Sequence, residues 1–232
     1  VLKKNGVEVE HAYPGCCGMP FLEQADLPKV VKQAKEVSSE LLKWIDKGYE
    51  VVTLTASCGL MLKFEWPLLL PDNENIKRLS KHVFDIDEYI VDISKNEGLV
   101  EGMQPVDGGI SLHLACHSRA QNMGAKSNEL LKLIPDADIS IVERCSGHGG
   151  TFGVLSPTHD LARKVGKPAA RQVAKVNPSF VISSCPLASK HLSQITKEDI
   201  IKGNEKSQIK SGHPIELMAV SYGFLNKDEM SE

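Results

Sequence analysis

A pair of adjacent cysteines between glycines, Cys16-Cys17, constrains the fold of this chain more than any other feature. A related pair stands far downstream at Cys145-Ser146, and a Ser-Cys pair follows each copy, ending at Cys58 and at Cys185. Equivalent cysteines of the two copies are 129 (145 − 16) and 127 (185 − 58) residues apart. Equal spacing in the same order predicts a duplicated module, with two cysteine sites in one chain.

One further cysteine, Cys116, stands 29 residues (145 − 116) before Cys145. Its counterpart in the first copy would lie before Val1. The first residue is also Val rather than Met. We therefore expect the natural protein to extend upstream and to supply one more cysteine there.

Composition excludes several classes of function. A formal net charge of −3 with 25% charged residues gives no basic surface for nucleic acid. No apolar run approaches the roughly 18–20 residues that span a bilayer, so contact with a membrane or quinone would come through a partner. Without a signal-peptide pattern, the six cysteines favour metal or redox chemistry in the cytoplasm over disulfides. We expect a cytoplasmic protein, peripheral to the inner membrane only through such a partner.

Strand-like and helix-like patterns alternate along the chain, which predicts an α/β fold with parallel sheets. Residues 59–65 are expected to form a short helix limited by Pro67, and residues 72–81 a polar surface excursion. The Gly-rich stretch Gly98–Gly109 is the expected boundary, so we predict a first module at 1–105 and a second at 106–232. The expected strands cover residues 7–12, 50–55, 110–115, 139–142 and 180–183, and the expected helices cover residues 27–47, 85–95, 126–133, 157–176 and 213–222.

The cysteines are expected at one edge of each sheet. Every cysteine except Cys17 follows a predicted strand, and the carboxyl ends of parallel strands meet at the same edge. Glycines in the intervening loops would let backbone N–H groups approach metal-bound sulfur. The spacing differs from the C-x2-C blocks of zinc ribbons and bacterial ferredoxins.

The cysteine series resembles the cysteine-rich CCG module found in heterodisulfide reductase, in the iron–sulfur subunit of anaerobic glycerol-3-phosphate dehydrogenase, and in lactate-utilisation iron–sulfur proteins. This resemblance implies two pseudo-symmetric Rossmann-like modules, each binding an iron–sulfur cluster of the [4Fe–4S] type. The matching segments are Cys16-Cys17-Gly18, Ser57-Cys58, Ala115-Cys116-His117, Cys145-Ser146-Gly147-His148-Gly149-Gly150 and Ser184-Cys185-Pro186.

Carried over to this chain, the resemblance implies cluster ligands Cys16, Cys17 and Cys58 in the first module, completed by the upstream cysteine. The second module would use Cys116, Cys145 and Cys185. Met61 and Ala188 stand where heterodisulfide-reductase modules have a further cysteine, so the five-cysteine clusters of that enzyme are not expected.

Ser146 replaces the second cysteine of the pair, which leaves three thiols in the second module. A [4Fe–4S] cluster with an open or oxygen-ligated iron, a [3Fe–4S] cluster, or a different ligand would each satisfy this set. Histidine is the natural substitute, and His148, His117 and His191 are the candidates. We expect His113 to be a core histidine and leave the remaining histidines as structural or surface residues: His11, His82, His159 and His213.

Three functions compete. The resemblance implies an iron–sulfur electron-transfer subunit or domain of an oxidoreductase, which passes electrons from a flavoprotein dehydrogenase or ferredoxin-type donor to an acceptor such as quinone. An open iron in the second module could instead reduce a disulfide or another small molecule directly. A non-redox module with the metal as a structural staple is the third alternative. No independent catalytic residue is recognisable.

Overall fold

The computed structural model describes residues 1–201 and 209–230, and it forms an α/β fold with two parallel sheets. The first sheet pairs β1 (Val51–Thr53) with β2 (Val83–Asp85). The second has the order β4-β3-β5-β6, and all its pairs are parallel. Its strands are β3 (Ile110–His113), β4 (Ile139–Val142), β5 (Phe180–Ile182) and β6 (Lys210–Gly212).

Helices connect the strands. In the first half these are α1 (Met19–Leu22), α2 (Leu27–Ile45), α3 (Ala56–Leu60), α4 (Trp66–Leu69), α5 (Glu74–Ser80) and α6 (Ile86–Asn96). In the second half they are α7 (Cys116–Ala120), α8 (Lys126–Leu131), α9 (Ser156–Val176), α10 (Pro186–Ile195) and α11 (Pro214–Ser221). Shorter 3-10 turns cover Leu2–Asn5, Gly150–Gly153 and Lys227–Glu229, and π-helical turns cover Met61–Glu65 and Thr196–Ile200.

Helix α2 shows how the sequence specifies these elements. Asp26 caps its first turn by accepting a hydrogen bond from the Lys29 N–H, and Pro28 lies where a missing N–H costs nothing. The apolar face is buried at intervals of three and four, which fastens the helix to the first core. Its buried residues are Val30, Ala34, Val37, Ser38, Leu41, Leu42 and Ile45.

The core of the second half extends across the sequence midpoint. Ile86, Ile90 and Val91 of α6 pack with Ile110 and Leu112 of β3 in one buried cluster. The amino-terminal residues Val1 and Leu2 also pack against it. The sheets are separate, and the first core is built from the first half alone, whereas the core of the second half includes residues of both halves.

Two sequence predictions in the first half are wrong. Residues 7–12 form no strand, because the described chain places no neighbouring strand beside them to share backbone hydrogen bonds. Residues 72–81 contain helix α5, whose Ile76 and Leu79 are completely buried. Two apolar side chains at helical spacing anchor this otherwise polar segment.

Pro67 does not end the helical segment, contrary to the sequence prediction. Helical structure starts at Ala56 and continues through Pro67 to Leu69, because the proline falls in the first turn of α4, where it needs no N–H partner. Strands β2 and β6 and the extent of α10 were not predicted. The other expected helices and strands are confirmed to within three residues at each end.

Candidate metal centre

The three cysteines of the first half come together, and we refer to Cys16, Cys17 and Cys58 as the first site. Cys16 and Cys17 lie in the loop before α1, whereas Cys58 lies inside α3 rather than in a loop after a strand. Cys17 donates its S–H to Cys58, which together with burial raises the pKa of Cys17. Accepting that hydrogen bond lowers the pKa of Cys58. Cys16 also contacts Cys17.

Main-chain and aromatic groups hold the first site. The Gly18 N–H donates to Cys16 Sγ at 3.4 Å. The Trp66 indole is fully buried, and its Nε1–H donates to the Cys17 carbonyl oxygen at 3.0 Å. A rigid buried donor therefore fixes the backbone of the adjacent cysteine pair. Trp44, the other tryptophan of the chain, is only half-buried.

The second site consists of Cys116, Cys145 and Cys185. Each stands three residues beyond the end of its strand, β3, β4 or β5, and these strands are neighbours in one parallel sheet. The predicted placement at the carboxyl edge of the sheet is therefore observed for this half. Burial is the largest cause that raises the pKa of Cys185, and electrostatic repulsion from the nearby Cys116 and Glu23 raises it further. Cys116 and Cys145 are exposed.

The loop after Cys145 depends on glycine. Gly147 has φ +79°, and its N–H donates to Cys145 Sγ at 3.3 Å. A Cβ at this position would lie 2.2 Å from the Ala162 carbonyl oxygen and 2.6 Å from the Gly166 nitrogen of α9. The cysteine loop thus rests directly on the backbone of α9, an approach that only glycine permits.

Glu23 of the first half reaches the second site, which sequence analysis missed. Its Oε2 accepts a hydrogen bond from the Thr151 N–H at 3.2 Å. Its charge acts on both Cys185 and His148. The contact joins residues 128 positions apart, so no local pattern signals it.

Two candidate histidines, one in the loop after Cys145 and one in α10, lie close together. His148 and His191 are each 5% exposed, and their ring centroids are 5.8 Å apart. Within the described residues the Nε2 atom of each has no hydrogen-bond partner. Burial lowers the pKa of both, which favours neutral imidazole. His117, the third candidate, follows Cys116 in α7 and is half-buried.

His113 is a buried histidine, as expected. Its Nδ1 lies 3.1 Å from Ser183 Oγ, which accepts the Cys185 N–H at 3.3 Å, so the ring supports the loop that presents Cys185. Burial lowers its pKa to about 4. His213 is structural rather than superficial: it is 4% exposed, and its Nδ1 caps α11 by accepting the Ile215 N–H. Burial lowers the pKa of His213 to about 4 as well.

Two carboxyl groups that sequence analysis did not single out lie at the junction of the halves. Asp87 Oδ2 accepts from the hydroxyls of Ser127 and Ser184, both at 2.6 Å. Asp85 accepts from Gln121 Nε2 at 3.3 Å. Burial, and then the charge of Asp87, raises the pKa of Asp85 to about 6, and burial raises that of Asp87. These acids join the halves as hydrogen-bonding partners.

The two cysteine sites are neighbours. Helix α3, which contains Cys58, packs against α7, which begins at Cys116. The Ala56 N–H donates to the Ser184 carbonyl oxygen at 3.2 Å, and these residues lie close to Cys58 and Cys185 respectively. The fold therefore places both sets of thiols along the junction of the halves.

The donor set fits an iron–sulfur cluster. Each site presents three thiols, and in each a loop N–H, from Gly18 or Gly147, points at a cysteine sulfur. Soft thiolates and N–H···S hydrogen bonds are the features that hold and tune such clusters. Within residues 1–201 and 209–230, no three His, Cys, Asp or Glu side chains are arranged to enclose a single metal ion.

Comparison with protein families agrees with this chemistry. Residues 1–63 and 110–192 match the profile of the cysteine-rich CCG domain, once in each half. The chain belongs to the CCG family. The two matched segments contain all six cysteines of the two sites, and they confirm the resemblance inferred from the sequence.

Curated relatives extend the comparison. The chain is 27% identical over 230 residues to a subunit of the fumarate reductase (CoM/CoB) of Methanothermobacter marburgensis, covering 96% of the chain and 42% of that protein. It is 32% identical over 186 residues to an uncharacterized iron–sulfur protein of Methanocaldococcus jannaschii, covering 78% and 34%. It is 25% identical over 193 residues to lactate utilization protein A of a Geobacillus strain, covering 79% and 77%.

This CCG chain thus spans less than half the length of the first two relatives. One of these relatives is named as a subunit of a reductase, and another as an iron–sulfur protein. Among the helices of the described residues, none is both long and apolar enough to cross a membrane.

Proposed function

We propose that the chain binds one iron–sulfur cluster at each site and transfers electrons as a subunit or domain of an oxidoreductase. The observation that carries this proposal is the pair of three-thiol sites side by side where α3 meets α7. A bound cluster supplies one-electron redox chemistry that amino-acid side chains lack. Adjacent sites suit a protein that relays electrons.

The cysteines have distinct proposed roles. Cys16, Cys17 and Cys58 hold the first cluster, and Cys116, Cys145 and Cys185 hold the second. The Gly18 and Gly147 N–H groups stabilise negative charge on the sulfurs, because each already points at a thiol. The division into modules 1–105 and 106–232 remains part of the proposal.

The proposed partner is a flavoprotein dehydrogenase or ferredoxin-type electron donor, with an acceptor such as quinone reached through the same complex. Relatives named as a subunit of fumarate reductase and as a lactate utilization protein support a role in a multi-subunit redox system. We propose a cytoplasmic location, with membrane association only through such a partner.

Metal analysis with electron paramagnetic resonance tests the proposal. Anaerobically purified natural-length protein should be brown, with iron and acid-labile sulfide in comparable amounts. Cys58→Ser should remove the resonance signal of one cluster and Cys185→Ser that of the other, so each variant controls the other. A colourless protein that contains zinc would identify the metal as a structural staple and end the electron-transfer proposal.

Direct reduction of a small molecule at the second site is the second candidate. Exposure of Cys116 and Cys145, while Cys17 is buried, favours it, because a substrate can reach only an open site. Ser146 in place of a cysteine leaves room for such a ligand. A dialkyl disulfide added to the reduced protein should then change the signal lost in Cys185→Ser and be cleaved to two thiols, consuming two electrons and two protons.

His148 is proposed as a ligand or close neighbour of the second cluster, because its buried Nε2 lacks a described partner. His148→Ala should change the resonance or potential of the second cluster alone. His82→Ala, at a partly exposed histidine that pairs with Glu50 of the first half, is the control. Identical spectra in wild type and His148→Ala would remove His148 from the coordination sphere.

A further inference from the structure

A cleft lies between two segments of the first half. Its volume is about 830 Å³, and its two walls are residues 7–14 and residues 49–55, which include β1. The apolar side chains Leu2, Leu41 and Leu62 also line it. Tyr49 Oη donates to Glu8 Oε1 at 2.6 Å and so bridges the walls at their amino-terminal ends. Both walls run towards the cysteines of the first site.

The second sheet shows what occupies the equivalent position there. By the 129-residue spacing of Cys16 and Cys145, residues 10–13 correspond to β4 (139 − 129 to 142 − 129). β1 and β2 form the parallel pair that corresponds to β5 and β6. In the second sheet β3 lies between β4 and β5. The cleft therefore takes the place of β3.

We propose that the cleft receives a β-strand, parallel to β1, from residues of the natural protein that precede Val1. In the second half β3 precedes β4 by 29 residues (139 − 110), so the corresponding strand would come from that upstream region. Its chemistry should resemble that of β3, Ile110–His113, whose four residues are all buried. Backbone hydrogen bonds to both walls would supply affinity, as in β-strand addition.

Burial and exposure in the first half fit an unfilled strand position. All three residues of β5 are buried between two neighbours, whereas two of the three residues of β1 are only partly buried. Leu54, at the end of β1 and in the wall of the cleft, is 62% exposed. The Val51 N–H donates to the backbone carbonyl oxygen of His82, which directly precedes β2, and successive N–H groups of a strand point to opposite edges. The Val52 N–H therefore faces the cleft.

The strand would deliver its carboxyl end to the first site, as β3 delivers Cys116 to the second. This consequence rests on the proposed cluster function, whereas the occupation of the cleft does not. The two can therefore fail separately, because strand occupancy is measured by backbone protection and cluster binding by iron content.

Hydrogen exchange with mass spectrometry tests the occupant. The natural-length protein, expressed from its own start codon, is compared with the 232-residue chain, and iron content is measured in both. Exchange in the peptide covering residues 49–55 should be about 100-fold slower in the natural-length protein, because the cleft-facing amides become hydrogen-bonded. The peptide covering β5, already paired on both edges, should exchange equally in the two proteins.

Three results overturn the proposal. The first is a natural protein that adds no residues before Val1. The second is equal exchange of residues 49–55 in the two proteins. The third is protection that appears only when the redox partner is added, since it would assign the strand to another chain.

Leu54→Lys provides a second measurement. In the natural-length protein the inserted strand should make the added charge unfavourable and lower Tm by about 4 °C or more, while the 232-residue chain should be unaffected. Leu68→Lys, 74% exposed and outside the cleft, is the matched control. An equal effect of Leu54→Lys on both proteins would also count against an inserted strand.

Discussion

The two halves have the same arrangement of cysteines but differ in how far their sheets and sites are enclosed. In the second half β5 is flanked by β3 and β6, yet two of the three cysteines are exposed. In the first half β1 has a single described strand neighbour, yet Cys17 is buried. In the described chain, the half with the less enclosed sheet therefore has the more enclosed cysteine site.

Different neighbours of the cysteine loops explain this contrast. The first loop is covered by the buried Trp66, which hydrogen-bonds the backbone of Cys17. The second loop lies on α9 through Gly147 and contacts Glu23 from the opposite half. The first site is therefore suited to holding a cluster away from solvent, and the second to contact with other molecules.

Among the variants that test the difference between the two halves, Gly147→Ala should lower stability the most. Its Cβ would strike backbone atoms of α9 at 2.2 Å and 2.6 Å, with the added cost of a positive φ. We expect a loss of about 3 kcal/mol or more in stability, together with loss of the second cluster. Thermal unfolding and the resonance spectrum measure both.

Gly18→Ala is the matched control for Gly147→Ala, because it stands at the equivalent position of the first half. It shares the positive φ, but the nearest atoms to its Cβ are at 3.6 Å. The expected cost is about 1 kcal/mol. Equal costs for the two variants would contradict the different packing of the two loops.

Asp85→Asn tests how the ionisation of a buried carboxyl group at the junction of the two halves affects stability. Asp85 has a native pKa of about 6 against 3.8 in the unfolded chain, so its stabilising effect is present below about pH 4 and is lost as pH rises through 6. Asparagine keeps the oxygen that caps α6 but cannot ionise. The stability of the variant relative to wild type should rise by roughly 2–3 kcal/mol between about pH 4 and pH 7.

Thermal denaturation of both proteins across this pH range measures that difference. His113 and His213 impose the opposite pH dependence on the stability of the fold. Their pKa values are lowered to about 4, so the folded protein holds them neutral and becomes less stable as pH falls below about 6.5. The slope from His113 is common to both proteins and cancels in the comparison, whereas the charge of Asp85 acts on His213, so His213 contributes to the difference. A difference independent of pH would show that Asp85 ionises equally easily in the folded and unfolded chains.

Trp66→Phe should weaken the enclosure of the first site. The variant leaves the Cys17 carbonyl without its indole donor, which should cost about 1–2 kcal/mol and alter the first resonance signal alone. Trp44→Phe, at a half-buried tryptophan, should change stability by about 0.5 kcal/mol or less. A Trp66→Phe effect no larger than that of Trp44→Phe would refute the proposed anchoring role.

Glu23→Gln should have the smallest effect. The amide retains an oxygen for the Thr151 N–H but removes a negative charge near Cys185. Reduction adds negative charge to a cluster, so the potential of the second cluster should rise by about 20 mV at low ionic strength. The potential of the first cluster serves as the internal reference. An unchanged second potential would show that solvent screens Glu23 completely.

Local sequence patterns predicted much of the fold. The spacing of Val30, Ala34 and Val37 specifies α2 because one helix face must be buried, and β4 is found at the residues expected. The series of cysteine motifs also identified the family, which the profile match confirms. These features depend on residues near one another or on a repeated order.

Features that depend on distant partners were not predictable. Residues 7–12 alternate as a strand does, but a strand also needs a neighbour, which local alternation cannot supply. Asp87 is identifiable as a junction residue only once Ser127 and Ser184 are folded against it. Helix α5 was missed because only two buried side chains distinguish it from a polar loop.

The Glu23–Thr151 contact also affects the order of events during synthesis. Because it closes a separation of 128 residues, this link between the first cysteine loop and the second site cannot form until most of the chain has left the ribosome. The Cys16-Cys17 segment is therefore translated long before its surroundings are complete. A cluster inserted into the first site during translation would be bound before the Glu23–Thr151 contact joins the two halves.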